Sequence, residues 1–314
     1  MIGVFDSGLG GLTILRTLLR EFEDEKFLYF GDSAYAPYGR RDHEQIYSLT
    51  RRGVEYLFSK GCRLVIIACN TACAIALRPL QQNWLPFVEW GEHHIKRNFM
   101  GKITGGHQAH NVIGVFIPLI EAITHQEWHL RPHAPYAPSP EIHRVAFFAT
   151  RATVTSERFP IELKRFHPNI QIFQQACHRL ADFIEADAAI EDIDGGIQRY
   201  CKNLMIQTKA RGFDIAALGC THYQLVAELF RKHLPEGSTL IHQPQAVADS
   251  LHRYLDRHPE YRNHPSQHLV DASEIPRLRF ATSGHPAQVS VAATRFWGAN
   301  VEFMHKDDVL GLTA

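Results

Sequence analysis

The strongest constraint on the fold is a set of four short apolar runs, residues 2–5, 64–68, 145–149 and 215–218, each ending in a small or polar residue just before a helical period. Runs this short without polar alternation read as strands buried on both faces. Residues 27–30, 240–241 and 277–282 read as further strands. The apolar spacing predicts helices over 12–21, 43–60, 71–81, 159–166, 176–186, 196–211, 245–257 and 288–297. Strands and helices alternate along almost the whole chain. The expected class is therefore α/β, with mainly parallel sheets, helices on their faces and right-handed crossovers.

The pattern also repeats. Strands 2–5 and 64–68 end in Asp6-Ser7 and Cys69-Asn70-Thr71, and strands 145–149 and 215–218 end in Thr150 and Cys220-Thr221-His222. Two similar lobes facing each other would bring both sets of strand ends onto one cleft. At 314 residues the chain is long enough for two domains. The expected division is a first lobe from 1–95 plus 251–314 carrying Cys69, an inserted linker at 96–111, and a second lobe at 112–250 carrying Cys220.

Lysine plus arginine and aspartate plus glutamate both number 33, so no net field favours nucleic acid or a membrane surface. No apolar stretch approaches the length that spans a bilayer, and a strand occupies the place of a leader peptide. Six cysteines without framework spacing read as reduced thiols, so the expected location is the cytoplasm. The histidines around Glu92-His93-His94 and at 107–110 lack the spacing of a zinc site, and no metal is expected.

A single buried cysteine is most simply a small core residue. Here two strand ends deliver one each, about half a chain apart, and both are followed by hydrogen-bonding side chains. That shared context suggests one site with a thiol on each side. A thiol with pKa ~8.5 serves as base when ionised and as acid when not. One of each, on opposite faces of a carbon, would remove a proton from one side and return one to the other, inverting the centre. Asp6 and His222 are titratable groups beside the two cysteines. Ser7, Asn70, Thr71, Thr153 and Thr221 offer an uncharged cradle for an ammonium and a carboxylate, and such a cradle costs less to desolvate than fixed charges. The turn at Pro37-Tyr38-Gly39 is able to present backbone N–H groups to an anion.

Other chemistries compete. Asp6-Ser7-Gly8-Leu9-Gly10-Gly11 opens a strand–turn–helix unit but lacks the glycine spacing of a nucleotide loop. Cys69 and Cys73 lie four apart, which is not the Cys-x-x-Cys redox spacing. Cys220 and His222 would suit nucleophilic catalysis. Residues two apart on one loop often point apart, however, and no orienting third residue stands out.

Taken together, these motifs resemble the glutamate racemase family within the cofactor-independent aspartate/glutamate racemases. The resemblance rests on Asp6-Ser7-Gly8-Leu9-Gly10-Gly11, Asp32 through Pro37-Tyr38-Gly39, Ala68-Cys69-Asn70-Thr71-Ala72, Ala149-Thr150-Arg151-Ala152-Thr153 and Gly219-Cys220-Thr221-His222-Tyr223, in family order over nearly the whole chain. It implies an isomerase that interconverts L- and D-glutamate without pyridoxal phosphate or any other cofactor, feeding peptidoglycan synthesis. Cys69 and Cys220 would be the acid/bases, assisted by Asp6 and His222. Ser7, Asn70, Thr71, Thr150, Thr153 and Thr221 would hold the α-amino and α-carboxylate groups, and Pro37, Tyr38 and Gly39 the side-chain carboxylate. It also implies two α/β lobes with the site between them, and a homodimer.

The chain departs from the pattern in places. Residues 89–111 look inserted at the passage between lobes, Gln224 follows the tyrosine in place of proline, and Gln174-Gln175-Ala176-Cys177-His178 replaces a more proline-rich stretch. Racemisation of aspartate or a broader set of amino acids is the nearest alternative, since one methylene shifts selectivity by only ~1–3 kcal/mol. An amino-acid-binding homologue that has lost turnover is the other.

Overall fold

The computed structural model describes residues 1–88, 96–97, 103–104, 110–128, 144–263 and 276–309. Two sheets organise it. The first has the order β12-β11-β2-β1-β3-β6, and the second β10-β9-β7-β8. Every pairing in both is parallel. Their strands are β1 (Ile2–Asp6), β2 (Phe27–Gly31), β3 (Leu64–Ile67), β6 (Asn111–Gly114), β7 (Arg144–Ala149), β8 (Gln171–Ala176), β9 (Ile215–Gly219), β10 (Thr239–Ile241), β11 (Leu278–Thr282) and β12 (Met304–His305). Between the third and sixth strands, β4 (Lys96–Arg97) pairs antiparallel with β5 (Ile103–Thr104).

Helices α1 (Leu12–Glu21), α2 (His43–Ser59) and α3 (Asn70–Pro79) cover the first sheet, with α4 (Phe116–Thr124) following β6. In the second half lie α5 (Arg151–Thr155), α6 (Arg158–Phe166), α7 (Leu180–Glu185), α8 (Ile190–Gln207) and α9 (Ala227–His233). The chain returns to the first sheet through α10 (Gln243–Arg257), which packs on α1 and α4, and closes with α11 (Pro286–Trp297).

The two sheets share one wiring. In the first, β1 lies between β2 and β3; in the second, β7 lies between β8 and β9. The order thus reverses at β1 and again at β7, and a crevice opens at the carboxyl ends of the strands at each reversal. Asp6 ends β1 and Ser7 follows it, and Cys69 comes after β3; Thr150 follows β7 and Cys220 follows β9. Both cysteines therefore leave the third strand of their sheet at the same topological position, which accounts for the repeat in the sequence.

Alternation along β7 joins two cores. Val145, Phe147 and Ala149 face the core that runs through the first sheet, whereas Ala146 and Phe148 face a second core with Leu218, Tyr223 and Phe230. Phe147 stacks on Phe159 at 3.9 Å between ring centroids. Its ring tip lies 2.2 Å from where a Cβ on Gly219 would stand, so the residue before Cys220 must be glycine.

Several elements differ from the sequence expectations. β8 (Gln171–Ala176) was not foreseen, because its three glutamines hide the strand; it is a half-buried edge strand and tolerates them. The helix expected over 176–186 is confined to Leu180–Glu185. Helix α8 begins at Ile190 rather than 196, carrying Gly195 and Gly196 in its interior. Strand Asn111–Gly114 hydrogen-bonds to β3 in the first sheet, although the sequence division began the second lobe at 112. The division itself stays a proposal. Most of the segment that looked inserted and the His93–His94 cluster lie outside the described residues.

Candidate active site

The two cysteines are buried, 6% exposed each, and each has its own set of partners. Cys69 caps the start of α3, its sulfur 3.5 Å from the Ala72 N–H. The Ser7 hydroxyl lies 3.3 Å from the same sulfur, tying the turn after β1 to the turn after β3. Burial is the main cause that pushes the Cys69 thiol up to about 12, and the neighbouring Asp6 carboxylate adds to it. Cys69 therefore rests as a thiol.

Asp6 is 1% exposed. Its Oδ2 accepts the Gly8 N–H at 2.9 Å, while Oδ1 has no hydrogen-bond partner among the described residues. Desolvation raises its pKa to about 6 against the opposing pull of His222 and the Gly8 and Gly11 amides. A buried carboxylate oxygen with spare accepting capacity suits a donor brought by a ligand.

On the other side, the Cys220 sulfur stands 3.9 Å from Nδ1 of His222, whose Nε2 is 3.1 Å from the Glu185 carboxylate. Burial alone would lower the imidazole, but the hydrogen bonds and charges of Cys220 and Glu185 outweigh it and raise the pKa to about 10. At neutral pH His222 is thus a cation held between a sulfur and a carboxylate. Glu185 moves the opposite way: His222 holds its carboxyl below the usual range in spite of burial.

The two sides touch. A Cβ on Gly10 would lie 2.2 Å from the Thr221 hydroxyl and 2.6 Å from Nδ1 of His222, so the glycine-rich turn of the first sheet is the floor on which the second sheet's turn rests. Thr13 donates to the Gly10 carbonyl at 2.8 Å and reaches the Thr221 carbonyl at 3.4 Å. Charge on Cys220 is among the causes that raise Cys69, and charge on His222 among those that lower Asp6, so both thiols sit in one electrostatic neighbourhood.

Three hydroxyls form a second cluster. Thr71 Oγ1 is 2.9 Å from Thr150 Oγ1 and 3.3 Å from Thr153 Oγ1, and the last two are 3.0 Å apart. Gly39 lies against this cluster, with its missing Cβ 3.3 Å from Thr150. Tyr38 is buried and donates its hydroxyl to Asp32 at 2.6 Å, so the turn has its backbone and Pro37, rather than the phenol, to offer a ligand. Asn70 exchanges two 2.9 Å hydrogen bonds with Gln243 at the start of α10.

The structure thus brings Asp6, Ser7, Cys69, Cys220, Thr221 and His222 together, and sets Thr71, Thr150, Thr153 and Gly39 beside one another. It corrects the expectation that Cys220 and His222 diverge without an orienting third residue: that residue is Glu185. Sequence reasoning missed it because it ends a helix with no motif around it. It also missed Gln243, whose partner Asn70 lies in a motif that was read, and it quoted Asp32 without giving it the role of partner to Tyr38. Cys73 does not join the site. It lines a separate cavity of about 240 Å³ between α3, β6 and α10. Among the described residues no three His, Cys, Asp or Glu side chains converge as metal ligands, and no helix is long and apolar enough to cross a membrane.

No protein-family model matches the chain. Solved structures with the same fold include a glutamate racemase isoform of Bacillus anthracis (TM-score 0.73, 24% identity, 97% of this chain and 96% of that one). Another is the glutamate racemase of Francisella tularensis in complex with D-glutamate (TM-score 0.72, 22% identity, 99% of this chain and 97% of that one). Closer in sequence are curated glutamate racemases of Phenylobacterium zucineum, 40% identical over 302 residues, and of a Caulobacter species, 38% identical over 302 residues; each match covers 96% of this chain and 98% of the relative. With two buried thiols at equivalent strand ends and likeness of this extent over nearly its full length, the chain belongs to the glutamate racemase family.

Proposed function

We propose that this protein interconverts L- and D-glutamate by proton transfer at the α-carbon between two thiols, without a cofactor. The observation that carries the proposal is the pair of buried cysteines delivered from equivalent strand ends of two sheets into one cleft. One sulfur, as thiolate, takes the α-proton, and the electron pair left on carbon spreads into the α-carboxylate. The opposite thiol breaks its S–H bond and returns a proton to the other face. Roles exchange when the reaction runs backwards.

The surroundings suit those roles. The imidazolium of His222 places positive charge beside Cys220, as a thiolate there requires. Burial keeps Cys69 protonated until a substrate ammonium arrives, and Asp6 Oδ1 is positioned to accept that ammonium. Ser7, Asn70, Thr71, Thr150, Thr153 and Thr221 supply the remaining hydrogen bonds, and the turn at 37–39 receives the distal carboxylate. A homodimer, a cytoplasmic location and supply of D-glutamate to peptidoglycan synthesis belong to the same proposal.

The Cys220–His222–Glu185 chain supports a second reading, a thiol nucleophile with an oriented imidazole. That chemistry needs one cysteine, whereas racemisation needs both. Exchange of the α-proton in deuterated water, measured for both enantiomers of glutamate and aspartate with no cofactor added, tests the proposal. Exchange of glutamate with inversion is the expected result. Exchange of aspartate alone would change the substrate and keep the mechanism; no exchange of either, from folded and reduced protein, would overturn the proposal.

A further inference from the structure

A mouth of about 660 Å³ opens between the turn at 38–40 and the starts of α5 and α7. Gly39 and Thr150 line it, so it opens directly onto the hydroxyl cluster. Although the chain carries no net charge, this mouth does: Arg40, Arg41, Arg151 and Arg179 line it against Asp42 and Asp182. His43 and His178 also lie on it.

The cations are not equally occupied. Arg40 pairs with Asp182 across the mouth, joining the first sheet's turn to α7. Arg41 donates to the Tyr35 carbonyl at 2.6 Å and lies over the Tyr35 ring. Arg179 lies 4.0 Å from the same Asp182 and over the Phe183 ring, 5.2 Å from its centroid. Arg151 is exposed, follows Thr150 directly, and has no ion-pair partner among the described residues. One aspartate thus serves two arginines from opposite sides, and Arg151 is left unneutralised at the edge of the hydroxyl cluster.

We propose that this mouth is an anion-gathering vestibule, in which Arg151 and Arg179 draw an α-amino dicarboxylate toward the hydroxyl cluster and favour it over neutral amino acids. The inference rests on the proposed function, since it takes the substrate to be a net anion. A cleft lined by one sign of charge focuses the field and raises the local concentration of the opposite sign. Each unscreened charge about 8 Å away in water contributes roughly twofold to that concentration. The residues act before chemistry, so they govern KM and leave kcat alone.

The test is calorimetric binding of D-glutamate to the full chain at about 20 mM and about 500 mM salt, where the Debye lengths are roughly 20 Å and 4 Å. The double variant R151Q/R179Q is expected to bind about three- to tenfold more weakly than wild type at low salt and within about twofold of it at high salt. R151K/R179K keeps the charge while changing the shape, and is expected to retain the low-salt affinity. Equal affinities of wild type and R151Q/R179Q at low salt would overturn the vestibule, as would a loss that persists undiminished at high salt or is shared by R151K/R179K. Wild type that binds glutamate without regard to salt would refute the vestibule alone. Wild type that binds none at either salt would remove the proposed function and the vestibule with it.

Discussion

The two thiols occupy the same place in two sheets of the same wiring, yet their surroundings are opposite in sign. Cys69 faces a hydroxyl and a buried carboxylate, and rests protonated. Cys220 faces an imidazolium that Glu185 keeps charged. Equivalent topology brings the sulfurs to equivalent positions, and the residues one turn away divide the labour. A carboxylate favours a proton donor on one side, and a cation favours a proton acceptor on the other. The repeat builds the cleft, and the departures from the repeat build the chemistry.

The sharpest way to break the comparison is to remove one side. Cys69→Ala and Cys220→Ala are each expected to lower racemisation in both directions by about 10²–10⁴-fold or more, read by polarimetry. A side that proved expendable would mean the two are not partners. Glu185→Gln comes next. It removes one charge-assisted hydrogen bond worth about 1.5–3 kcal/mol, so kcat/KM should fall about 10- to 100-fold. Its basic limb should also move below pH 10, because His222 loses the carboxylate that holds its proton. An unchanged basic limb would show that Glu185 does not set the charge of His222.

Asp6→Asn should act on the other limb. Asp6 titrates near pH 6, so activity that depends on its carboxylate rises through that pH, and the rise should vanish in the variant. Gly10→Ala probes where the two sides meet. The added methyl overlaps Thr221 and His222, predicting a loss of about 1–3 kcal/mol in denaturant unfolding.

Stability should also depend on pH. His222 has a raised folded pKa, so the stability it contributes is complete below its ordinary value near 6.5 and declines as pH rises toward 10. His222→Asn should flatten the decline of melting temperature over that window. Asp6, raised to about 6, contributes with the same sign at lower pH: its protonated form is favoured, and stability is lost as it ionises.

The architecture and the thiols were legible in the sequence because buried parallel strands read as short apolar runs and their carboxyl ends as abrupt polar stops. β8 escaped because an edge strand tolerates polar residues on the exposed side, and Gln171, Gln174 and Gln175 erase the apolar signal. Glu185 escaped because nothing local marks a helix-ending carboxylate as the partner of an imidazole 37 residues later. The close approach at Gly10 was visible only as a permissive glycine; its reason is a side chain more than two hundred residues away. Contacts of that span carry no local periodicity.

The central claim is that the two sulfurs work on opposite faces of one carbon. It is tested most directly by following α-deuterium uptake and inversion separately in Cys69→Ala and Cys220→Ala, starting from each enantiomer of glutamate in deuterated water. Neither variant is expected to invert either enantiomer. Residual uptake, with retention, should be confined to the enantiomer whose α-proton faces the remaining thiol, and this should be the opposite enantiomer in the two variants. Inversion persisting in either variant at a rate close to wild type would contradict the claim.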